Sequence, residues 1–122
     1  MTTDRELLEL AAKADGVDAA WLCLADEIDE HAGHLAKTEG MWLKGARGPS
    51  NSAYWNPLAD DGDAFRLMAR RGMRVHVDLE EGCTRIFNEF DGLLLRQMHF
   101  PAGPEEATRR AIVRAVALDV AQ

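Results

Sequence analysis

Residues Trp55 to Gly72 read WNPLADDGDAFRLMARRG, and the reading of this stretch decides the fold. Proline at 57 disfavours helix in the residue before it, because its ring crowds the preceding backbone. Asp60, Asp61 and Asp63 then offer carboxylates to the free N–H groups and the positive dipole end of a helix start. Phe65, Leu67, Met68 and Ala69 supply an apolar face, and Gly72 can take the left-handed conformation that ends a helix. The stretch predicts a helix over Asp61–Arg71, entered by a sharp turn whose aromatic, Trp55, anchors between helix and sheet. The three aspartates superficially resemble a magnesium or calcium cluster. Phe65 and Leu67, however, break the oxygen-ligand pattern of a calcium loop. Helix capping accounts for the acids without a metal.

Downstream, Met73, Val75, Val77 and Leu79 alternate with Arg74, His76 and Asp78, the period of a half-buried strand. The four apolar residues are expected on one face, packed under a helix. Glu80–Gly82 reads as a turn, a second strand follows over about Cys83–Phe90, and Asp91-Gly92 is a type I′ hairpin signal. A third strand over Leu93–His99 completes an antiparallel meander. Phe100–Pro104 makes a rigid connection, and Pro104 suits the first position of a helix, where its missing N–H costs nothing. Glu105–Arg109 and Glu106–Arg110 stand at i,i+4 in the favourable order. Ala111, Ile112, Ala115, Val116 and Leu118 are the expected buried face.

Upstream, Thr3 and Glu6 form a capping box at the head of a helix over Asp4–Asp15, with Leu7, Leu10, Ala11 and Ala14 at helical spacing and Gly16 as its stop. Val17–Leu58 is less determinate. Trp21–Leu24 fits a buried strand or the start of another helix. Asp26–Lys37 is polar and compatible with helix, although Gly33 and Gly40 weigh against it. Met41–Leu43 reads as a short strand and Gly48–Ser52 as a loop. The fold class is therefore α+β, with an antiparallel sheet of three to five strands covered by helices in one domain over residues 1–122.

The 14 basic and 21 acidic residues leave a net charge of −7. Such a surface repels phosphate backbones, which makes nucleic acid an unlikely partner. No apolar run approaches the ~20 residues that span a bilayer, so no membrane partner is expected. The acidic N-terminus lacks the basic and apolar regions of an export signal, pointing to the cytoplasm, where Cys23 and Cys83 would be free thiols.

The order of a capped helix over Arg5–Gly16, the Trp55–Gly72 stretch, a meander and a last helix over Glu106–Ala117 resembles the phage ABA-sandwich proteins. These small proteins of tailed phages and prophages are distantly similar to the NinX-like family. The resemblance implies an α/β/α layered fold, an origin in a phage accessory gene and a bacterial host cytoplasm. It carries no catalytic residues. Ala25–Ser52 looks longer than in that family and reads as a variable or inserted segment.

Few constellations point to chemistry. His31 and His34 sit three apart and would share a helix face, a weak zinc-ligand signal without a cysteine pair beside it. Cys83 and His76 lie across a hairpin, yet nothing in the sequence orients them as nucleophile and base. Cys83 reads as a strand-edge residue and Cys23 as a core one. No Walker loop, dinucleotide fingerprint or H-E-x-x-H motif occurs, so no cofactor is expected. Arg70, Arg71 and Arg74 form one basic cluster, and Arg109, Arg110 and Arg114 another. Each is a solvated helix flank or, alternatively, a phosphate partner. Trp42 and Tyr54 stand near a loop, where aromatics anchor protein interfaces. The expectation is a module that binds another protein of host or phage, self-association being open. The alternative is a small-ligand or nucleotide-binding module that uses the arginines; an enzyme ranks below both.

Overall fold

Thr3 opens the first helix, its hydroxyl accepting from the Glu6 N–H at 3.1 Å. In the computed structural model, which describes residues 3–23, 39–43, 54–88 and 92–121, this helix is α1 (Asp4–Ala14). It is followed by β1 (Ala19–Cys23), β2 (Glu39–Leu43), β3 (Tyr54–Trp55), α2 (Asp61–Arg70), β4 (Arg74–Asp78), β5 (Cys83–Asn88), β6 (Gly92–Met98) and α3 (Pro104–Ala121). α1 and α2 stop in the same way. Gly16 and Gly72 take positive φ (69° and 62°). The following N–H groups, of Val17 and Met73, return to the carbonyls of Ala12 and Met68 at 2.8 and 3.2 Å. That pattern needs a residue without a Cβ penalty at the left-handed position.

The six strands form two antiparallel sheets, ordered β1-β2-β3 and β4-β5-β6. Within the indeterminate Val17–Leu58 region, residues 19–23, 39–43 and 54–55 are strands, with Trp21 in the first, while the helix-compatible Asp26–Lys37 and the Gly48–Ser52 loop lie outside the described residues. Met41 lies opposite Trp21 on one side and Trp55 on the other, so all three share a face. Met41 and Trp55 are both buried in the core. In the second sheet Val75 and Val77 pair with Ile86 and Thr84, which pair in turn with Leu95 and Gln97. A register shift between Ile86 and Phe87 accommodates an extra residue, Leu94, in β6. Of the Asp91-Gly92 hairpin signal, Asp91 lies outside the described residues, and Gly92 opens β6 with a positive φ of 83°.

α3 is the central element, packing against α1, α2, β5 and β6. Ala111, Ile112, Val113, Ala115, Val116 and Ala117 are all buried, so the middle of this helix is apolar around most of its circumference, with half-buried Arg114 on the remaining side. Leu118, expected in the buried face, is 38% exposed, one turn beyond Arg114 on the same side of the helix. Leu7, Leu8, Ala11 and Ala12 of α1 join the same core. No helix among the described residues is long and apolar enough to cross a membrane.

Two further burial expectations fail. Cys83 is not at a sheet edge but buried at the start of the central strand β5. Met73 and Val75 pack against the core, whereas Val77 and Leu79 are 42% and 73% exposed. The alternation is correct, but the helical cover ends before the apolar row does.

Candidate functional site

Those two exposed residues line an open groove of about 520 Å³ between α2, β4 and α3. Ala64, Phe65 and Met68 of α2 form one wall, and Ile112 and Thr108 of α3 the other. Phe65 is 62% exposed. Ala64 contributes only a methyl group, and this small side chain helps keep the groove open. Asp61, Pro104 and Glu105, at the first turns of the two helices, and Arg109, one turn further along α3, close the lining. Single exposed apolar residues are ordinary on a protein surface; several converging on one concavity mark a binding site.

A polar chain leads inward from the groove. The Thr108 hydroxyl lies 2.8 Å from the Thr84 hydroxyl, which lies 2.8 Å from His99 Nε2. Thr84 is fully buried and His99 7% exposed. The His99 backbone is tied on both sides, its N–H donating to Gly82 O and its carbonyl accepting from Gly103 N. A hydroxyl both donates and accepts, so the chain has two settings. If Nε2 accepts, Thr84 donates to it and Thr108 donates to Thr84, which leaves the Thr108 oxygen as an acceptor. If Nε2–H donates, Thr84 donates to Thr108, and the Thr108 proton is free. The imidazole touches Thr84 rather than Thr108, so the chain orients the hydroxyl and supplies no adjacent base.

The acidic cluster is divided among three tasks. Asp60 caps α2 by accepting from Gly62 N at 3.1 Å. Asp61 reaches Arg109 at 2.7 Å. Asp63, buried, accepts from Asn56 N at 2.9 Å and pairs with Arg66 at 2.7 Å. Asn56 in turn holds the Pro57 turn, its side chain accepting from Leu58 N and its carbonyl from Ala59 N and Asp60 N. Among the described residues no group of three or more His, Cys, Asp or Glu is placed to hold a metal.

The arginines act chiefly as clamps between elements. Arg70 meets Asp15 at 2.6 Å and Arg71 donates to Ala14 O at 3.3 Å, joining α2 to the end of α1. Arg74 lies over the Phe87 ring, 5.5 Å from its centroid. Arg109 donates to Leu58 O as well as to Asp61, and Arg110 reaches Asp4 at 2.9 Å. These tertiary partners replace the i,i+4 pairs with Glu105 and Glu106 that the spacing predicted. On the outer face of the second sheet, Asp78 accepts from the Glu81 backbone N–H and from Arg85. Those bonds hold the Asp78 carboxyl below its ordinary range and raise the Arg85 guanidinium.

Of the described polar residues singled out from sequence as candidate ligands, only Asp61 and Arg109 line the groove. Arg70, Arg71 and Arg74 lie elsewhere, at the end of α2 and on β4. Trp42 and Tyr54 are cross-strand partners in the first sheet, but their side chains lie outside the described residues, as do His31 and His34 entirely. His76 faces Arg85 and Cys83 faces Asp78, with the Val77–Thr84 rung between them, and His76 is exposed while Cys83 is buried. One signal for the groove was legible. At about 100° per residue, Ala64, Phe65, Leu67 and Met68 cover an arc of about 160°, wider than a single packing contact needs. No protein-family model matches this chain, no curated protein matches it, and no solved structure matches it.

Proposed function

We propose that this protein is a small acidic binding module that takes an apolar segment of another protein into the α2–β4–α3 groove. The observation that carries this reading is the convergence of exposed Phe65, Val77 and Leu79 on one concave surface. The sequence's likeness to the phage ABA-sandwich proteins supports reading it as a phage or prophage accessory protein. In that role it acts on a host or phage machine in the bacterial cytoplasm. The second reading is a small-ligand site in the same groove, favoured by the Thr108 hydroxyl, since pockets for small molecules pair apolar walls with a few placed polar groups. The arginine clusters give it less support, because Arg70, Arg71 and Arg109 are engaged in holding elements together.

Paired affinity captures from bacterial extract, with wild type and with Phe65→Ser/Leu79→Ser, test the groove. Both residues are exposed, so the double variant should fold. A protein retained by wild type and lost by the variant supports the groove as the docking site. A partner retained equally by both overturns it. Native mass spectrometry that finds a small molecule bound to wild type alone favours the second reading.

A further inference from the structure

We infer that the segment seated in the groove is a short amphipathic helix with lysine or arginine flanking its apolar stripe. This rests on the protein-binding reading above and adds the chemistry of the partner. Size comes first. The lining residues of α2 run from Asp61 to Phe65 and Met68, and those of α3 from Pro104 to Thr108 and Ile112. At 1.5 Å per residue both walls are about 10–12 Å long, or two helical turns. That length accepts apolar side chains at i, i+3 or i+4, and i+7 of a docking helix. The two long walls are the helices α2 and α3, whose side-chain ridges can interdigitate with those of a docking helix.

Charge decides the flanks. Asp61, with its side chain 85% exposed, and exposed Glu105 stand at the end of the groove where both helices begin. Asp60 and Glu106, also exposed, adjoin them in sequence. Arg109, the cation in the lining, is paired with Asp61 and offsets that carboxylate, so the acidic excess of the rim is Glu105 with Asp60 and Glu106 beside it. The rim is therefore acidic on a protein whose net charge is −7. A second copy would set acid against acid, and an anionic membrane would be repelled. A basic flank meets the rim with complementary potential and steers encounter.

The test uses two fluorescein-labelled peptides of ~15 residues, long enough to form helix on binding. Both carry the same leucine stripe, one with lysine and the other with glutamate at the polar positions. At about 50 mM salt the lysine peptide should bind the full-length protein on the order of tenfold more tightly, and the gap should narrow as salt rises. Phe65→Ser/Leu79→Ser should abolish binding of the lysine peptide. Glu105→Gln, alone or with Asp61→Asn, should shrink the gap while binding persists, with melting curves confirming the fold of each variant. Equal or tighter binding of the glutamate peptide, lost in the Phe65→Ser/Leu79→Ser variant, overturns the basic flank and leaves the groove reading standing. Lysine-peptide binding untouched by that variant overturns the inference as diffuse attraction to an acidic protein. Binding of neither peptide overturns both. A dimer that the groove variant dissolves, or groove-dependent binding to phosphatidylglycerol vesicles, names a different occupant and also overturns the inference.

Discussion

The two flanks of α3 have been treated oppositely by the same chain. Toward α1 the contact is closed, with Leu7, Leu8, Ala11 and Ala12 buried and Arg110 pinned to Asp4. Toward α2 and β4 only the deep residues are covered. Ala64 and Leu67 are 3% and 0% exposed, while their neighbour Phe65 is 62% exposed and Leu79, just past β4, 73%. The residue types on the two flanks differ little in polarity. What differs is fit: the small side chains of α1 let a helix approach α3, whereas α2 and β4 carry apolar surface beyond what α3 can cover. Excess apolar surface of that kind is unfavourable in the isolated protein and becomes useful when something else covers it.

Five measurements break or sharpen this contrast. Trp55→Ala should have the largest effect. It empties a large site in the closed region where β3, Met41 and the α2 entry turn meet, and such truncations cost ~3–5 kcal/mol. That is a large share of the stability of a domain this size. Urea denaturation should show most of the protein unfolded or its midpoint sharply lowered; normal melting would mean that the first sheet is not part of the closed core. Thr84→Val comes next. It removes the link between His99 and Thr108 and leaves buried polar atoms unpaired, at about 1–3 kcal/mol. A neutral result in chemical denaturation would show that water reaches the polar chain from the groove, moving the boundary between closed and open inward.

Asp60→Ala should cost ~0.5–2 kcal/mol through loss of the α2 cap, which tests whether the open wall is nonetheless a firmly held helix. Circular dichroism melts compared with Thr3→Ala, the matching cap on the closed side, would read the two walls against each other. A smaller effect is expected on the outer face of the second sheet. The Glu81 backbone bond and Arg85 hold the Asp78 carboxyl below its ordinary value of 3.8, so the carboxylate favours the folded state above that pH. Its contribution should fade as pH falls through the lowered value, and Asp78→Asn should flatten that part of an acid-unfolding curve. The smallest change in stability belongs to Phe65→Ser/Leu79→Ser, within ~0.5 kcal/mol of wild type, because exposed side chains contribute little to folding. A loss comparable to that of Trp55→Ala would show that the groove is a part of the core and would end its case as a docking surface.

Much of the fold was legible because its signals are local. Thr3 and Asp60 cap helices by bonds to N–H groups two or three residues away. Gly16 and Gly72 end helices because a positive φ disfavours other residues at that position. Pro104 begins α3, and the alternation from Met73 to Asp78 marks β4 and its faces. The site was far less legible. Trp42, Tyr54, Arg70, Arg71 and Arg74 stood out as residue types, but a residue type does not say whether its contact is made within the chain. Arg70 is occupied by Asp15 at 2.6 Å, a partner 55 positions away.

By itself, then, the sequence determined where α1, α2 and α3 begin, where α1 and α2 stop, and which way β4 faces. Each follows from hydrogen bonds or steric limits within one turn or one strand rung. Only the tertiary structure decided that Arg109 and Arg110 turn away from Glu105 and Glu106 to Asp61 and Asp4. It alone joined Thr84, His99 and Thr108 into one chain, buried Cys83 and left Leu79 uncovered. Those outcomes depend on which surfaces meet across tens of residues, and meeting is a matter of shape and distance that no local pattern encodes.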